Sequence, residues 1–207
     1  MINRFIIIFF LILSGYMDLP KRGHKPSASV NSYLQHLDNK REIKIERSLV
    51  EWKGTKFRGK GSHSGKVFFK EGYLLFEDHE LSGGEFIVDM RSIYNTDIPL
   101  SDPVPRKNLT THLNSDFETA RYPTAKFFIT NVLQGTPGLM IYGDLTIRGI
   151  SRKISIQAHK IAPDKFVSEF NINRFDWKIG DNGSWLEKKL VDPDIRLKVT
   201  IICDPEQ

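Results

Sequence analysis

The chain has 207 residues, of which 40% are hydrophobic and 27% are charged. This composition is typical of one globular domain with a short additional segment, and it excludes a disordered or collagen-like protein. The formal net charge is +5, and basic residues alternate with acidic ones, as Arg148 and Lys153 do with Asp144. We therefore expect a solvated surface and no nucleic-acid partner.

The N-terminal residues have the pattern of an export signal. Arg4 is followed by an uninterrupted apolar run over residues 5–13. As a helix this run would extend about 14 Å, whereas the hydrocarbon core of a bilayer is about 30 Å thick. Residues 1–17 therefore predict a signal segment and a periplasmic or secreted protein. The alternative is a buried first strand, and the absence of a cysteine after the run excludes a Cys-anchored lipoprotein.

Residues 18–40 contain Pro20, Gly23 and Pro26 without a sustained hydrophobic period. This pattern indicates a linker. The folded domain is therefore expected to occupy residues 41–207.

In the domain, apolar residues recur at every second position over short segments, which is typical of strands with one buried face. Strands are predicted at residues 42–53, 64–70, 73–77, 84–92, 124–133, 139–148, 152–161, 165–175 and 190–203. Glycine- or proline-containing joints predict turns at residues 71–72, 82–84, 135–138, 148–149 and 162–165. Only residues 93–121 break this rhythm, and a helix is expected over residues 106–118.

Eight or nine consecutive antiparallel strands can hide their edges by closing on themselves, so the pattern predicts an all-β barrel or sandwich. One apolar phase of the strands is expected to face the interior. It comprises Phe86, Val88, Met90, Phe127, Ile129, Leu145, Ile147, Ile154, Ile156, Phe170, Ile172, Leu197 and Val199. The pattern alone leaves open whether this interior is hollow or filled by its own side chains.

Several motifs occur in a fixed order in the second half of the chain. They are His-Leu at His112, Ser-Asp-Phe at Ser115, Tyr-Pro-Thr at Tyr122 and Gly-Asp-Leu-Thr-Ile-Arg-Gly at residues 143–149. With the segments VEWKG (50–54), HSGKV (63–67), LSGGEFIVDM (81–90) and INRFDWKI (172–179), they resemble the YceI-like family. The likeness covers roughly residues 41–203.

This resemblance implies an antiparallel lipocalin-like β-barrel of about eight strands with one short helix. It also implies a non-catalytic protein that binds an isoprenoid or other long-chain lipid, such as a quinone or a polyprenyl phosphate, with no cofactor. The lipid tail would occupy the interior, and its head group would lie at a mouth formed by His112, Arg121 and Tyr122. Transient membrane contact is expected. The alternative is a filled barrel that serves as an envelope or stress interaction module.

A third hypothesis, an enzyme that uses His63 or His112, has weak support in the sequence. His112, Ser115 and Asp116 are the residue types of a hydrolase triad, but one helical turn cannot align them, and no G-x-S-x-G motif occurs. His63 and His79 lack the spacing of metal ligands, so no metal is expected.

The chain has one cysteine, so no intrachain disulfide can form. Cys203 continues the inward phase of Val199 and Ile201. We therefore predict a buried, unreactive thiol in the last strand.

The signal segment predicts that the exported protein lacks roughly the first fifteen to twenty residues. N-terminal sequencing and intact mass measurement of the protein isolated from its own host would check this. A chain that begins at Met1 and is recovered from the cytoplasmic fraction would contradict it.

Overall fold

The computed structural model describes residues 39–56, 61–180 and 191–205, so the predicted signal segment and nearly all of the predicted linker lie outside the described residues. The strands are β1 (Lys40–Glu42), β2 (Leu49–Lys56), β3 (Ser62–Glu77), β4 (Glu80–Asn95), β5 (Thr124–Gln134), β6 (Leu139–Ile147), β7 (Ile150–Ala162), β8 (Lys165–Asn173) and β9 (Val191–Ile202). The helix α1 (Pro103–Asp116) joins β4 to β5, and a 3-10 turn (Arg174–Trp177) follows β8. Among the described residues, no helix is long and apolar enough to cross a membrane.

Eight of the strands form a closed antiparallel barrel. Around the ring they follow the order β3, β2, β9, β8, β7, β6, β5 and β4, and pairing between β4 and β3 completes the circle. The short strand β1 pairs with the second half of β3, beyond the part of β3 that pairs with β2. The predicted antiparallel barrel of about eight strands is confirmed, and it has one α-helix within the described residues.

The two ends of the barrel differ. We call the helix end the one that carries α1, the β6–β7 turn and the residues that follow β8, and the far end the one that carries the β3–β4, β5–β6 and β7–β8 turns. Near the start of α1, Asn95 Nδ2 donates to the Arg106 carbonyl at 3.0 Å. At its other end, the Gly180 N–H donates to the Asp116 carbonyl at 3.3 Å. The helix therefore crosses the barrel end from the β4 side to the β8 side.

Two of the predicted turns are wrong. Residues 71–72 lie inside β3 at a register shift, and residues 82–84 lie inside β4. The hairpin between these strands instead turns at Asp78 and His79, whose φ angles are 49° and 66°. The other predicted turns, at residues 135–138, 148–149 and 162–165, join consecutive strands as expected.

The glycines at these two wrongly predicted turns permit close packing between strands. A Cβ atom on Gly72 would lie 2.8 Å from the Phe86 ring, and one on Gly84 would lie 2.5 Å from the Tyr73 carbonyl oxygen. Both contacts are too short for a larger residue. Glycine therefore marks a close approach of two strands at these positions and not a reversal of the chain.

The predicted strand over residues 42–53 is interrupted between β1 and β2. At this break Ser48, which is 1% exposed, fixes the chain against β9. Its hydroxyl donates to the Ile202 carbonyl at 3.2 Å and accepts from the Ile202 N–H at 2.9 Å. The helix begins at Pro103 and not at residue 106, because proline suits the first turn of a helix.

Cys203 directly follows β9 and is fully buried. Burial raises the pKa of its thiol. The predicted buried thiol is confirmed, and its raised pKa makes it a weak nucleophile.

The inward and outward phases can be tested with adjacent residues of β6. Ile141 is 6% exposed and faces the interior, whereas Met140 is 37% exposed on the outer face. We expect Ile141→Asp to lower the free energy of unfolding by about 3 kcal/mol or more, because it buries an unpaired carboxylate. Met140→Asp should change it by less than about 1 kcal/mol. Urea denaturation would measure both values, and equal losses would contradict the assignment of faces.

Candidate functional site

The barrel contains an elongated cavity of about 270 Å³. All of the residues predicted to face the interior lie in its wall: Phe86, Val88, Met90, Phe127, Ile129, Leu145, Ile147, Ile154, Ile156, Phe170, Ile172, Leu197 and Val199. The alternation of inward apolar and outward polar side chains builds this wall from every strand of the ring. Whether these residues bind a ligand stays a prediction.

The cavity follows the axis of the barrel. On β9 its wall includes Ile195, Leu197, Val199 and Ile201, which span about 20 Å of strand at ~3.3 Å per residue. The wall also includes His112, whose side chain is 64% exposed. The cavity therefore reaches the protein surface at the helix end. We call this opening the portal and define it by Gly54, His112 and Val191.

Charged groups of the wall gather near the portal. Arg174 is only 6% exposed, and its Nη1 atom donates to the Ile179 carbonyl at 3.1 Å. A Cβ atom on Gly180 would lie 2.9 Å from Arg174 Nη1 and 3.6 Å from Asp116 Oδ1. The Arg174 guanidinium and the Asp116 carboxylate therefore both lie beside the Cα atom of Gly180. His112 adds a third polar group, because its Nε2 atom lies 3.3 Å from Asp116 Oδ2.

Two further polar residues of the wall have partners on neighbouring strands. Lys126 Nζ lies 2.7 Å from Glu85 Oε2, and the Ser168 hydroxyl donates to the Gln157 carbonyl at 2.6 Å. Toward the far end the wall is formed by Leu74, Leu81 and Phe166. The cavity wall is therefore apolar along most of its length, and its charged groups lie toward the helix end.

Arg121 and Tyr122, predicted to form the mouth together with His112, lie outside the cavity wall. The Arg121 side chain is 75% exposed, and its guanidinium carbon lies 5.0 Å from the centre of the Tyr122 ring. Tyr122 packs on the β6–β7 turn, where its ring would lie 3.1 Å from a Cβ atom on Gly149. The corner after α1 directs these two residues toward that turn, and whether they contact a lipid head group stays a prediction.

Near the portal, a hydrogen-bonded contact between His63 and Asp97 fastens the segment after β4 to the start of β3. His63 Nδ1 lies 2.7 Å from Asp97 Oδ2, and the Ser64 N–H donates to Asp97 Oδ1 at 3.1 Å. Burial alone would raise the pKa of Asp97, but the hydrogen bonds from His63 and Ser64 outweigh it and lower this pKa below its usual value. The charged carboxylate is therefore the form that stabilises the contact.

The histidines considered as metal ligands lie apart. His63 and His112 are at the helix end, whereas His79 forms the β3–β4 turn at the far end. Within the described ranges, no group of three or more His, Cys, Asp and Glu side chains could hold a metal ion. Ser115 lies on α1 outside the cavity wall, although His112 and Asp116 belong to it.

Arg174, the most buried cation of the cavity wall, is not among the residues that the sequence pattern marks as a candidate site. A signal for it was present, because the alternation through Phe170 and Ile172 places residue 174 on the inward phase. Asp116 had no comparable signal, since its position depends on how α1 crosses the barrel end.

Known proteins resemble this chain in sequence and in fold. The YceI-like domain matches residues 42–203. A UPF0312 protein from Shewanella denitrificans is 33% identical over 94 residues, which are 44% of this chain and 46% of that protein. The match therefore spans about half of the relative's length.

Two solved structures share the fold. BcnA from Burkholderia cenocepacia has a TM-score of 0.62 at 16% identity and covers 78% of this chain and 99% of its own. A polyisoprenoid binding domain from Saccharophagus degradans, implicated in plant cell wall breakdown, has a TM-score of 0.54 at 11% identity. That comparison covers 80% of this chain and 98% of the other. At these identities the likeness establishes the barrel fold.

The hydrogen-bonded contact between His63 and Asp97 predicts a pH-dependent contribution to stability. Because the pKa of Asp97 is lowered by folding, the contribution is present above the ordinary value of about 3.8 and is lost as the pH falls through the folded value. We expect Asp97→Asn to cost about 1 kcal/mol near neutral pH, since both groups are partly exposed. This cost should shrink toward zero as the pH falls through the lowered pKa of the folded state.

Urea denaturation across this pH range would measure the effect. Asp194→Asn, which removes an exposed carboxylate of β9, is the control and should show no comparable dependence. A cost of Asp97→Asn that stays constant down to the lowest pH would contradict the assignment.

Proposed function

The chain belongs to the YceI-like family, and from this membership and the shape of the cavity we propose that it binds the chain of an isoprenoid lipid inside its barrel. The proposal describes a binding protein that catalyses no reaction and uses no cofactor. Its cargo would be an amphipathic lipid of the quinone or polyprenyl phosphate type.

The elongated apolar cavity, which reaches the surface at the portal, is the observation that carries this proposal. Burial of each methylene-sized group contributes about 0.8 kcal/mol, so a long hydrocarbon chain has a strong tendency to enter. A cavity of about 270 Å³ whose wall follows β9 from Ile195 to Ile201 is long and narrow. That shape suits one extended chain. The solved relative described as a polyisoprenoid binding domain supports the same class of cargo.

The polar groups near the portal favour one orientation of the cargo. A head group placed among Leu74, Leu81 and Phe166 would lose its hydration, which costs about 2–7 kcal/mol for an unpaired amide or hydroxyl. Near the portal, His112 and Arg174 offer polar contacts. The tail would therefore enter first and the head group would stay at the helix end.

Export is part of the proposal. Arg4 and the apolar run over residues 5–13 support a periplasmic or secreted location. In such an aqueous compartment a lipid with a long hydrocarbon chain needs a protein to shield it. A soluble carrier or sequestering protein satisfies that need, because its barrel replaces the hydrocarbon environment of the membrane.

Native mass spectrometry of the protein purified from its own host would test the proposal. We expect a folded species with the added mass of one isoprenoid lipid, and extraction followed by lipid analysis would identify it. A folded protein that carries no lipid and takes up none from an added isoprenoid mixture would instead favour the interaction module with a filled barrel. Bound metal found by elemental analysis would reopen the enzyme hypothesis.

Substitution within the cavity gives a second test. Val88 lies in the wall near the helix end, whereas the adjacent Ile87 lies outside it. We expect Val88→Trp to place its ring in the cavity and reduce isoprenoid retention, with little change in the stability of the lipid-free protein. In a filled core such overpacking would cost about 1–3 kcal/mol.

Ile87→Trp is the matched control and should retain lipid as the parent does. Lipid content by native mass spectrometry and thermal unfolding of the delipidated proteins would be compared. A Val88→Trp protein that retains lipid fully, or that loses stability to the extent expected of a filled core, would contradict the proposal.

A further inference from the structure

Two large apolar side chains project into solvent at the helix end. Leu100 is 81% exposed and Val104 is 67% exposed, more than any other large apolar residue in the part of the chain that the structure describes. Pro99, Pro103 and Pro105 restrict the backbone around them. We call this feature the Leu100–Val104 tip. Leu100 and Val104 therefore present exposed apolar surface, held in a stiff segment, that a membrane or a protein could cover.

The tip is fastened to the barrel. Arg106 Nη1 donates to the Ile98 carbonyl at 2.9 Å, within the segment that carries Leu100. The Thr96 N–H donates to the Ser64 carbonyl at 2.8 Å and so connects this segment to β3. Since the tip cannot fold back without breaking these bonds, anything that contacts it also fixes the orientation of the barrel.

The tip lies close to the portal. Val104 and His112 are both on α1, eight residues apart, which corresponds to about 12 Å at ~1.5 Å per residue. Val191, itself a residue of the portal, is 39% exposed, and Phe175 of the nearby 3-10 turn is 43% exposed. Apolar surface therefore occurs at more than one place around the opening of the cavity.

The charge of the whole chain suits an anionic surface. In the segment that carries the tip, Asp97 and Asp102 balance Arg106 and Lys107. The whole chain carries a net charge of +5, which attracts it to negatively charged bilayers. Binding to a membrane interface strengthens with the apolar area that inserts and with electrostatic attraction to anionic lipids.

We propose that the helix end docks on an anionic lipid bilayer and that the Leu100–Val104 tip inserts into it, so that the portal faces the lipid. This inference rests on the proposed function, since a lipid cargo would then move between membrane and barrel without crossing water. Among the possible partners of an exposed apolar tip, a bilayer is favoured because the cavity behind the tip is itself apolar and opens on the same side.

Environment-sensitive fluorophores at the two ends of the barrel test the orientation. Leu100→Cys would carry the label at the helix end, and Ile161→Cys would carry it at the far end, where Ile161 is 60% exposed. The native Cys203 is fully buried and would not react. Both labelled full-length proteins would be mixed with vesicles of phosphatidylethanolamine and phosphatidylglycerol that contain a bilayer-embedded quencher.

We expect the label at residue 100 to shift its emission to shorter wavelength and to be quenched, and the label at residue 161 to change little. A response at residue 100 no greater than that at residue 161 would overturn the proposal, whether both labels respond or neither does. This comparison is independent of the N-terminal residues, because they are the same in both proteins.

A transfer assay separates this inference from the proposed function. The double variant Leu100→Asp and Val104→Asp should bind a water-soluble fluorescent farnesyl analogue as the parent does. It should take a long-chain isoprenoid from vesicles roughly tenfold more slowly or worse, which corresponds to ~1.4 kcal/mol. Ile161→Asp is the control and should transfer at the parent's rate. Transfer by the double variant at that rate would overturn docking, whereas a parent that binds no farnesyl analogue would overturn the proposed function.

Discussion

Closure of the barrel by the pairing of β3 with β4 is the constraint on which the rest of the structure depends. Without it both strands would be edges, and the eight strands would form an open sheet with an exposed apolar face. With this pairing, the inward side chains of all eight strands point toward the barrel axis. Eight strands leave an interior that either fills with side chains or holds one thin ligand. Here it encloses a long cavity of about 270 Å³.

Closure also makes the two ends unequal. At the far end, neighbouring strands are joined by short turns, whereas at the helix end α1 must connect β4 to β5 across the opening. This crossing brings Asp116 beside Gly180 and near Arg174, so the charged groups of the cavity gather at one end. The same crossing places Leu100 and Val104 outside the portal. Head-group contacts and membrane contact are therefore proposed for one end of the molecule, as direct transfer of a lipid requires.

The residues of the cavity wall could be predicted because the period of a strand is a local property. Once Leu145 and Ile147 share a phase, the geometry of the strand directs both to the same face. The errors concern residues whose role depends on a distant partner. The pattern predicts turns at Gly72 and Gly84, but these glycines permit close packing on Phe86 and Tyr73. Glycine in a sequence does not distinguish a reversal of the chain from a close contact between strands.

The sequence by itself determined the class of fold, the strand order along the chain, the inward phase and the buried Cys203, since each follows from periodicity or from the order of motifs. Only the tertiary structure decided that the interior contains a cavity, because the space between facing side chains depends on how eight strands close. It also decided the composition of the portal. The path of α1 brought His112 and Asp116 to the cavity and left Tyr122 at the β6–β7 turn. Such a path is set by packing between residues far apart in the chain, and a local pattern carries no information about it.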